Sequence, residues 1–148
     1  MAIWFVTPKL EALTAFSQKT MVEHLGIEFT AIDDDSITAR MPVDQRTTQP
    51  LGMLHGGASV ALAETLGSVA ATLCVDPDEK FCVGLEINAN HIRSVRSGYV
   101  FGTAKPLHMG RTTQIWQTTI VDEQGRLVAV SRLTVAVLTK EVIGEVSR

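Results

Sequence analysis

Residues 54–64 read LHGGASVALAE and place one carboxylate, Glu64, in an otherwise small and apolar stretch that follows a Gly-Gly pair. Gly56 and Gly57 lack side chains, so the backbone there can approach a ligand closely. The unpaired N–H groups at the start of the following helix favour a developing negative charge. A lone acid is costly to bury among apolar residues without a purpose. The stretch therefore combines an electrophile-binding backbone with a nucleophile or base, as attack on a carbonyl group requires.

Length and composition indicate one globular domain over residues 1–148. Of the 148 residues, 45% are apolar and 20% are charged, which suffices for a core without disulfide or metal staples. The formal net charge of -3 argues against general nucleic-acid binding, which depends on neutralising phosphates. No segment approaches the ~20 apolar residues of a membrane span, and residues 3–6 are too few for a signal sequence. We therefore expect a cytoplasmic protein. We also expect inert thiols at Cys74 and Cys82 and a tail that is frayed beyond about residue 139.

Hydrophobic periodicity predicts the order of the elements. A short helix at residues 8–18 and a helical turn at 21–25 come first. A hairpin at 27–43, one long helix at 58–75 and a set of strands at 83–138 follow. In the first helix Leu10, Leu13 and Phe16 share a face, and the first strand after the long helix alternates at Val83, Leu85, Ile87 and Ala89. The long helix is apolar nearly all round, which is typical of a buried helix. Because one sheet covers such a helix only by curling around it, we predict an α+β fold with an antiparallel sheet wrapped around one central helix.

Motifs on both sides of the opening stretch resemble the hotdog-fold acyl-CoA thioesterases. The motifs are QPLGMLHGG at 49–57 and AETLGS at 63–68, supported by GLEINANH at 84–91 and PLHMGR at 106–111. The resemblance runs from about residue 4 to residue 138. It is strongest to a subgroup that acts on aromatic acyl-CoA, including 1,4-dihydroxy-2-naphthoyl-CoA of menaquinone biosynthesis. Enzymes that proofread acylated carrier proteins are closely related to this subgroup. The resemblance implies a hotdog fold, no metal or redox cofactor, and a homodimer, often doubled to a homotetramer, with active sites built from both chains.

The resemblance gives the opening stretch a catalytic interpretation. Glu64 is expected to act as nucleophile or as general base on water, and the sequence leaves these alternatives open. The amides of Gly56 and Gly57 are expected to polarise the thioester carbonyl. His55 is expected to orient this loop or Gln49, and Gln49 is expected to contact the carbonyl or to position the attacking water.

Two serines in the long helix are interpreted differently. Ser68 lies four residues after Glu64 and shares its helix face, so it is expected to hold the carboxylate or the attacking water. Ser59 lies within the predicted helix, and the sequence around it lacks the second glycine of a Gly-x-Ser-x-Gly nucleophile turn. We therefore reject a serine-hydrolase mechanism.

Coenzyme A carries a pyrophosphate and a 3′-phosphate, so cations and free backbone amides are expected where it binds. Arg93 and Arg111 are candidates because the guanidinium fork suits phosphate, and Gly84 is expected to admit the pantetheine arm. The full candidate set for substrate and coenzyme A is Gly84, Asn90, His91, Ile92, Arg93, Ser94, His108, Met109, Gly110, Arg111, Thr112 and Thr113. The candidates for an aromatic acyl pocket are Met53, Leu54, Leu62 and Val69, and core packing is the alternative, and the more common, role for each of them.

Three functions follow from these interpretations. The first is hydrolysis of an aromatic acyl-CoA, with 1,4-dihydroxy-2-naphthoyl-CoA as the expected ester and a relaxed acyl range. The second is proofreading of a misacylated aryl carrier protein, which the segment 86–93 disfavours. The third is a non-catalytic acyl-CoA-binding module, which the presence of Glu64 disfavours. The expected partners are the small-molecule ester, a second copy of the chain and, under the second function, a carrier protein, without nucleic acid or membrane.

Overall fold

The computed structural model describes residues 1–141 as three helices and six strands. The helices are α1 (Leu10–Ser17), α2 (Met21–His24) and α3 (Gly56–Leu73). The strands are β1 (Glu28–Ile32), β2 (Ile37–Pro42), β3 (Lys80–His91), β4 (Tyr99–Met109), β5 (Thr113–Val121) and β6 (Leu127–Thr139). The predicted order is confirmed, and α3 begins and ends two residues earlier than expected. Most of the tail that we expected to be frayed, residues 142–148, lies outside the described residues.

The six strands form one antiparallel sheet in the order β1-β2-β4-β5-β6-β3. Helix α3 packs against β2, β3, β4, β5 and β6, so the sheet curls around it. Leu62, Leu66 and Ala70 of α3 are fully buried against Trp116 and Ile120 of β5 and their neighbours. The predicted fold, an antiparallel sheet wrapped around one central helix, is confirmed. No helix among residues 1–141 is long and apolar enough to cross a bilayer.

Two glycines let α3 approach the sheet closely. A Cβ atom on Gly67 of α3 would lie 2.7 Å from Cδ2 of Leu133 and 3.5 Å from Cβ of Trp116. A Cβ atom on Gly102 of β4 would lie 2.8 Å from Cδ1 of Leu66. Contacts this short leave no room for a methyl group in a close-packed interior. The missing side chains therefore fix the height of the helix above the sheet.

The apolar face of α1 is only partly buried, and the strand pattern predicted after α3 is interrupted. Phe16 is 84% exposed, whereas Leu13 on the same face is buried where α1 packs on β1. The alternation predicted from Val83 to Ala89 breaks in β3. The pairing of β3 with β6 shifts between Gly84 and Glu86, so Leu85 is an extra residue without a partner. Such a bulge moves the residues after it to the opposite face of the strand.

The two cysteines are free and half-buried, as expected for inert thiols. Burial raises the pKa of the Cys74 thiol to about 12, with Cys82 nearby as a second cause. Burial also raises the pKa of Cys82. Because the thiolate is the reactive form, neither side chain is suited to nucleophilic chemistry at neutral pH.

The substitution Gly67→Ala tests the close approach of α3. Helix propensity alone would raise the free energy of unfolding by about 1 kcal/mol. We expect the reverse, a loss of about 1–3 kcal/mol, because the added methyl group overpacks the contact with Leu133. Urea denaturation measures the difference, with the exposed Thr72→Ala as the control for a helix substitution without overpacking. A stabilised Gly67→Ala would contradict the packing described above.

Candidate active site

The Glu64 carboxylate is held between its own helix and strand β3. Glu64 is half-buried near the middle of α3, and Ser68, one turn later, donates a hydrogen bond from Oγ to its Oε1 at 3.3 Å. The same oxygen faces Gly84 of β3, where a Cβ atom would lie only 2.5 Å from it. The predicted partnership of Glu64 and Ser68 is thus present in the structure. Gly84, expected at the pantetheine arm, lies against the carboxylate.

His55 caps the helix that carries this carboxylate. Its backbone is extended, and its Nδ1 accepts a hydrogen bond of 2.8 Å from the Gly57 amide. Its carbonyl accepts hydrogen bonds from the amides of Ala58 and Ser59. Nδ1 must be unprotonated to accept, so the neutral ring carries its proton on Nε2. The cap explains why α3 starts at Gly56, two residues before its predicted start.

The two glycine amides at the helix start differ in their availability. The Gly57 amide is donated to His55, whereas no hydrogen bond within residues 1–141 uses the Gly56 amide. Gly56 is the first residue of α3, where the helix dipole favours negative charge. The imidazole of His91 lies against Gly56, as shown by the 2.9 Å that would separate a Cβ atom built on Gly56 from Nε2 of His91. The Gly56 amide is therefore the backbone donor best placed to meet a carbonyl oxygen.

A cavity of about 320 Å³ opens beside Gly56. This size lies at the lower end of the range for small-molecule pockets. Besides Gly56 its lining residues are Met53, Leu54, Ser59, His91, Ile92, Arg93, Ser94 and Val128.

Two of the four residues considered for an acyl pocket line this cavity. Met53 and Leu54 line the cavity, whereas Leu62 is fully buried in the core and Val69 packs against the core. Sequence reasoning missed Ser59 and Val128 as lining residues. The spacing of three residues from Gly56 to Ser59 was the available signal, since such residues share a helix face.

Gln49 lies in the loop that leads into the capped helix start. Its side-chain oxygen accepts a hydrogen bond from the Leu51 amide, which fixes the direction of the side chain. The Gly52 amide donates to the Gln49 carbonyl, and the Gln49 amide donates to the Met53 carbonyl. The side-chain NH₂ of Gln49 makes no hydrogen bond within the described residues. Gln49 therefore retains a donor for an external group.

The expected coenzyme A residues fall into two groups at opposite ends of α3. Residues 91–94 lie beside its first residue, around the cavity at Gly56. Residues 108–113 span the turn between β4 and β5, and three of them, Met109, Gly110 and Arg111, border a second cavity of about 370 Å³ with Cys74 and Val75. The ends of this 18-residue helix are about 26 Å apart. One chain therefore does not bring the two groups to the same part of one coenzyme A.

Local contacts fix the turn at residues 108–113. The Gly110 amide donates to the Thr113 carbonyl at 2.8 Å, and the His108 ring lies against Gly110. Thr112 is tied to the end of β6, because its carbonyl accepts from the Val137 amide. Met109 and Arg111 are exposed, with Arg111 outside any ion pair of residues 1–141.

Asn90 on strand β3 and Arg93 just after it are exposed candidates for binding coenzyme A. Asn90 is exposed and pairs with Val130 of β6. Arg93 is exposed and forms no ion pair within the described residues, which leaves its guanidinium free for a phosphate. No group of three His, Cys, Asp or Glu side chains among residues 1–141 is arranged to hold a metal ion.

The curled antiparallel sheet, the carboxylate on the buried helix and the free amide at its first residue together define a hotdog-fold thioester hydrolase. The chain belongs to the thioesterase superfamily, whose family model matches residues 51–129.

Named relatives agree on the reaction class. The chain is 57% identical over 136 residues to the 1,4-dihydroxy-2-naphthoyl-CoA hydrolase of Escherichia coli K12, covering 92% of this chain and 99% of that protein. It is 55% identical over 136 residues to the proofreading thioesterase EntH of Cronobacter turicensis, covering 92% and 98%. A crystal structure of a mutant of the Pseudomonas aeruginosa thioesterase PA1618 has a TM-score of 0.92 and 51% identity, over 93% of this chain and 99% of that one. Other relatives of similar identity are named only as esterases, so the chain is a thioesterase whose acyl group these names leave open.

Substitutions at His55 separate its capping role from a chemical one. His55→Ala removes the acceptor for the Gly57 amide, and we expect it to lower the free energy of unfolding by about 1 kcal/mol. His55→Asn supplies another capping oxygen and is expected to retain stability within about 0.5 kcal/mol and most of the turnover. Urea denaturation and a thiol-release assay measure both properties. A His55→Asn variant that is as stable as wild type but inactive would show that the imidazole itself takes part in the reaction.

Proposed function

We propose that the chain hydrolyses an aromatic acyl-CoA, with 1,4-dihydroxy-2-naphthoyl-CoA as its physiological ester and a relaxed acyl range. The observation that carries the proposal is the Glu64 carboxylate, bonded to Ser68 and half-buried on α3, with a free amide at Gly56 on the same helix. The apolar and polar walls of the cavity beside Gly56 support an acyl-CoA as ligand. The activity for which the Escherichia coli relative is named supports the choice of acyl group.

The geometry of α3 supports a site made by two chains. Gly56 and Glu64 are eight residues apart, which is about 12 Å along the helix axis. The hydrogen bond from Ser68 draws the carboxylate toward the C-terminal end and so away from Gly56. Direct attack by the carboxylate on a thioester held by the amide requires the two groups to lie within about 7 Å, and an intervening water extends this to about 10 Å. We therefore propose a homodimer in which the Gly56 amide of one chain faces Glu64 of the partner subunit.

Strand β3 supplies a surface for that dimer. It is the last strand of the sheet, 12 residues long, and its outer edge is unpaired within the described residues. Val83 and Leu85 on it are 39% and 63% exposed. Long apolar edge strands are normally covered, because free edges promote aggregation. Pairing β3 with its copy in a second chain would cover both of these edges. The homotetramer expected from the family would then form by association of two such dimers.

The two-chain arrangement also accounts for the divided coenzyme A residues. When β3 pairs with its copy across a two-fold axis, the two α3 helices run antiparallel. The C-terminal end of one helix then extends past the start of the other. Residues 91–94 of one chain and 108–113 of the partner chain would contact different parts of one coenzyme A.

The proposed reaction needs water as its only co-reactant and no metal or redox cofactor. The thioester carbonyl oxygen accepts from the Gly56 amide as negative charge develops on it. Glu64 either attacks the carbonyl carbon, giving a mixed anhydride that water opens, or removes a proton from water that attacks directly. The carbon–sulfur bond breaks in both routes, and the products are the free acid and coenzyme A thiol. Gln49 offers its NH₂ group to the carbonyl or to the water.

Replacing Glu64 tests the reaction. We expect Glu64→Ala to lower kcat about 10³-fold on 1,4-dihydroxy-2-naphthoyl-CoA, because it removes the nucleophile or base. Release of free thiol measures the rate, and Glu64→Gln is the control that keeps the shape of the side chain. Full turnover by Glu64→Ala would contradict the proposed mechanism.

The proofreading function remains the second candidate because of the identity to EntH. The same thiol-release assay with an aryl ester on coenzyme A and on a carrier protein distinguishes the two. We expect the higher kcat/KM on the coenzyme A ester. Binding of both esters without turnover would support the third possibility, a non-catalytic module. The expected cytoplasmic location stays a prediction.

A further inference from the structure

Gly84 lies where a side chain would collide with the carboxylate proposed to be catalytic. A Cβ atom built on it would be 2.5 Å from Oε1 of Glu64, 3.5 Å from Cδ of Glu64 and 3.6 Å from Cδ1 of Leu133. Leu133 is only 2% exposed and is held under Gly67 of α3. A methyl group at position 84 would therefore have to displace the flexible carboxylate rather than Leu133.

The bulge at Leu85 is what turns Gly84 toward the helix. Along a regular strand, Gly84 and His91 would point to opposite faces, because they are an odd number of residues apart. Both nevertheless contact α3, Gly84 at Glu64 and His91 at Gly56. The register shift between Gly84 and Glu86 supplies the extra residue that brings both to one face. The bulge thus allows one strand to contact both functional groups of the helix.

We propose that Gly84 is a positioning residue that fixes where the Glu64 carboxylate sits relative to the thioester. This inference rests on the proposed role of Glu64. The absent side chain lets the carboxylate rest against the backbone of β3, while Ser68 holds it from the helix side. The carboxylate is thereby held between two elements, α3 and β3. The contact gives Gly84 a role other than admitting the pantetheine arm.

Gly84→Ala is the direct test, because the backbone at this position permits alanine. Gly84 is not among the glycines with positive φ, so the substitution introduces no backbone strain. The carboxylate must move by roughly 1 Å to reach ordinary contact distance, and a misplacement of that size lowers turnover about 10²-fold. We expect kcat to fall by that factor, KM to change less than about threefold, and Tm to stay the same or rise. A raised KM with unchanged kcat would overturn the inference in favour of pantetheine contact.

The Glu64→Asp variant, whose side chain is one methylene group shorter, is the matched background in which the Gly84→Ala substitution is repeated. An aspartate at position 64 withdraws the carboxylate from Gly84, so adding Gly84→Ala should cost less than about threefold in kcat. An equal loss in both backgrounds would show that Gly84→Ala acts without the carboxylate and would overturn the inference.

Failure of this inference is distinguishable from failure of the proposed function. If Glu64→Ala loses its turnover while Gly84→Ala keeps the wild-type kcat, the positioning role alone is overturned. Full turnover by Glu64→Ala overturns the proposed mechanism and the positioning role together.

Discussion

The close contact between helix α3 and the sheet is the constraint on which the rest of the structure depends. Gly67 rests on Leu133, and Gly102 accommodates Leu66, so the helix lies nearer to the strands than side chains would allow. Glycine costs a helix about 1 kcal/mol relative to alanine, and here that cost is offset by packing. The same closeness places the Glu64 carboxylate against β3. Core packing and the position of the reactive group are therefore set by one contact surface.

A rigid helix also fixes the distance between the two functional groups it carries. The amide at its first residue can stabilise negative charge on a carbonyl oxygen, and the carboxylate two turns later can attack or activate water. Their axial separation of about 12 Å exceeds what one thioester can span. In the proposed dimer the helix contributes one half of each of two sites, so the dimer would serve the chemistry as well as stability.

The sequence predicted the long helix, the curled sheet and the partnership of Glu64 with Ser68, because these depend on local periodicity and on spacing along one helix. Spacing could not predict which glycine amide remains free, since that depends on the His55 ring folding back onto Gly57. The bulge at Leu85 was missed because pairing with β6, a contact distant in sequence, creates it. The sequence left Leu62 open between the core and an acyl pocket, because which face of an apolar helix meets the core depends on the sheet; Leu62 lies in the core. The coenzyme A residues were identified as one set, whereas the fold places them at both ends of α3.

Activity regained on mixing two inactive variants would test the two-chain site most directly. Glu64→Ala removes the carboxylate. Gly56→Pro removes the free amide at a helix position where proline is tolerated, and Gly56→Ala is the control that keeps the N–H.

After the two inactive homodimers are mixed and allowed to exchange subunits, half of the dimers are mixed, and each contains one intact site. A site shared between two chains predicts recovery of about a quarter of wild-type turnover in the thiol-release assay. Mixed dimers, verified by mass, that remain inactive would show that one chain supplies both groups to its own site and would overturn the two-chain arrangement.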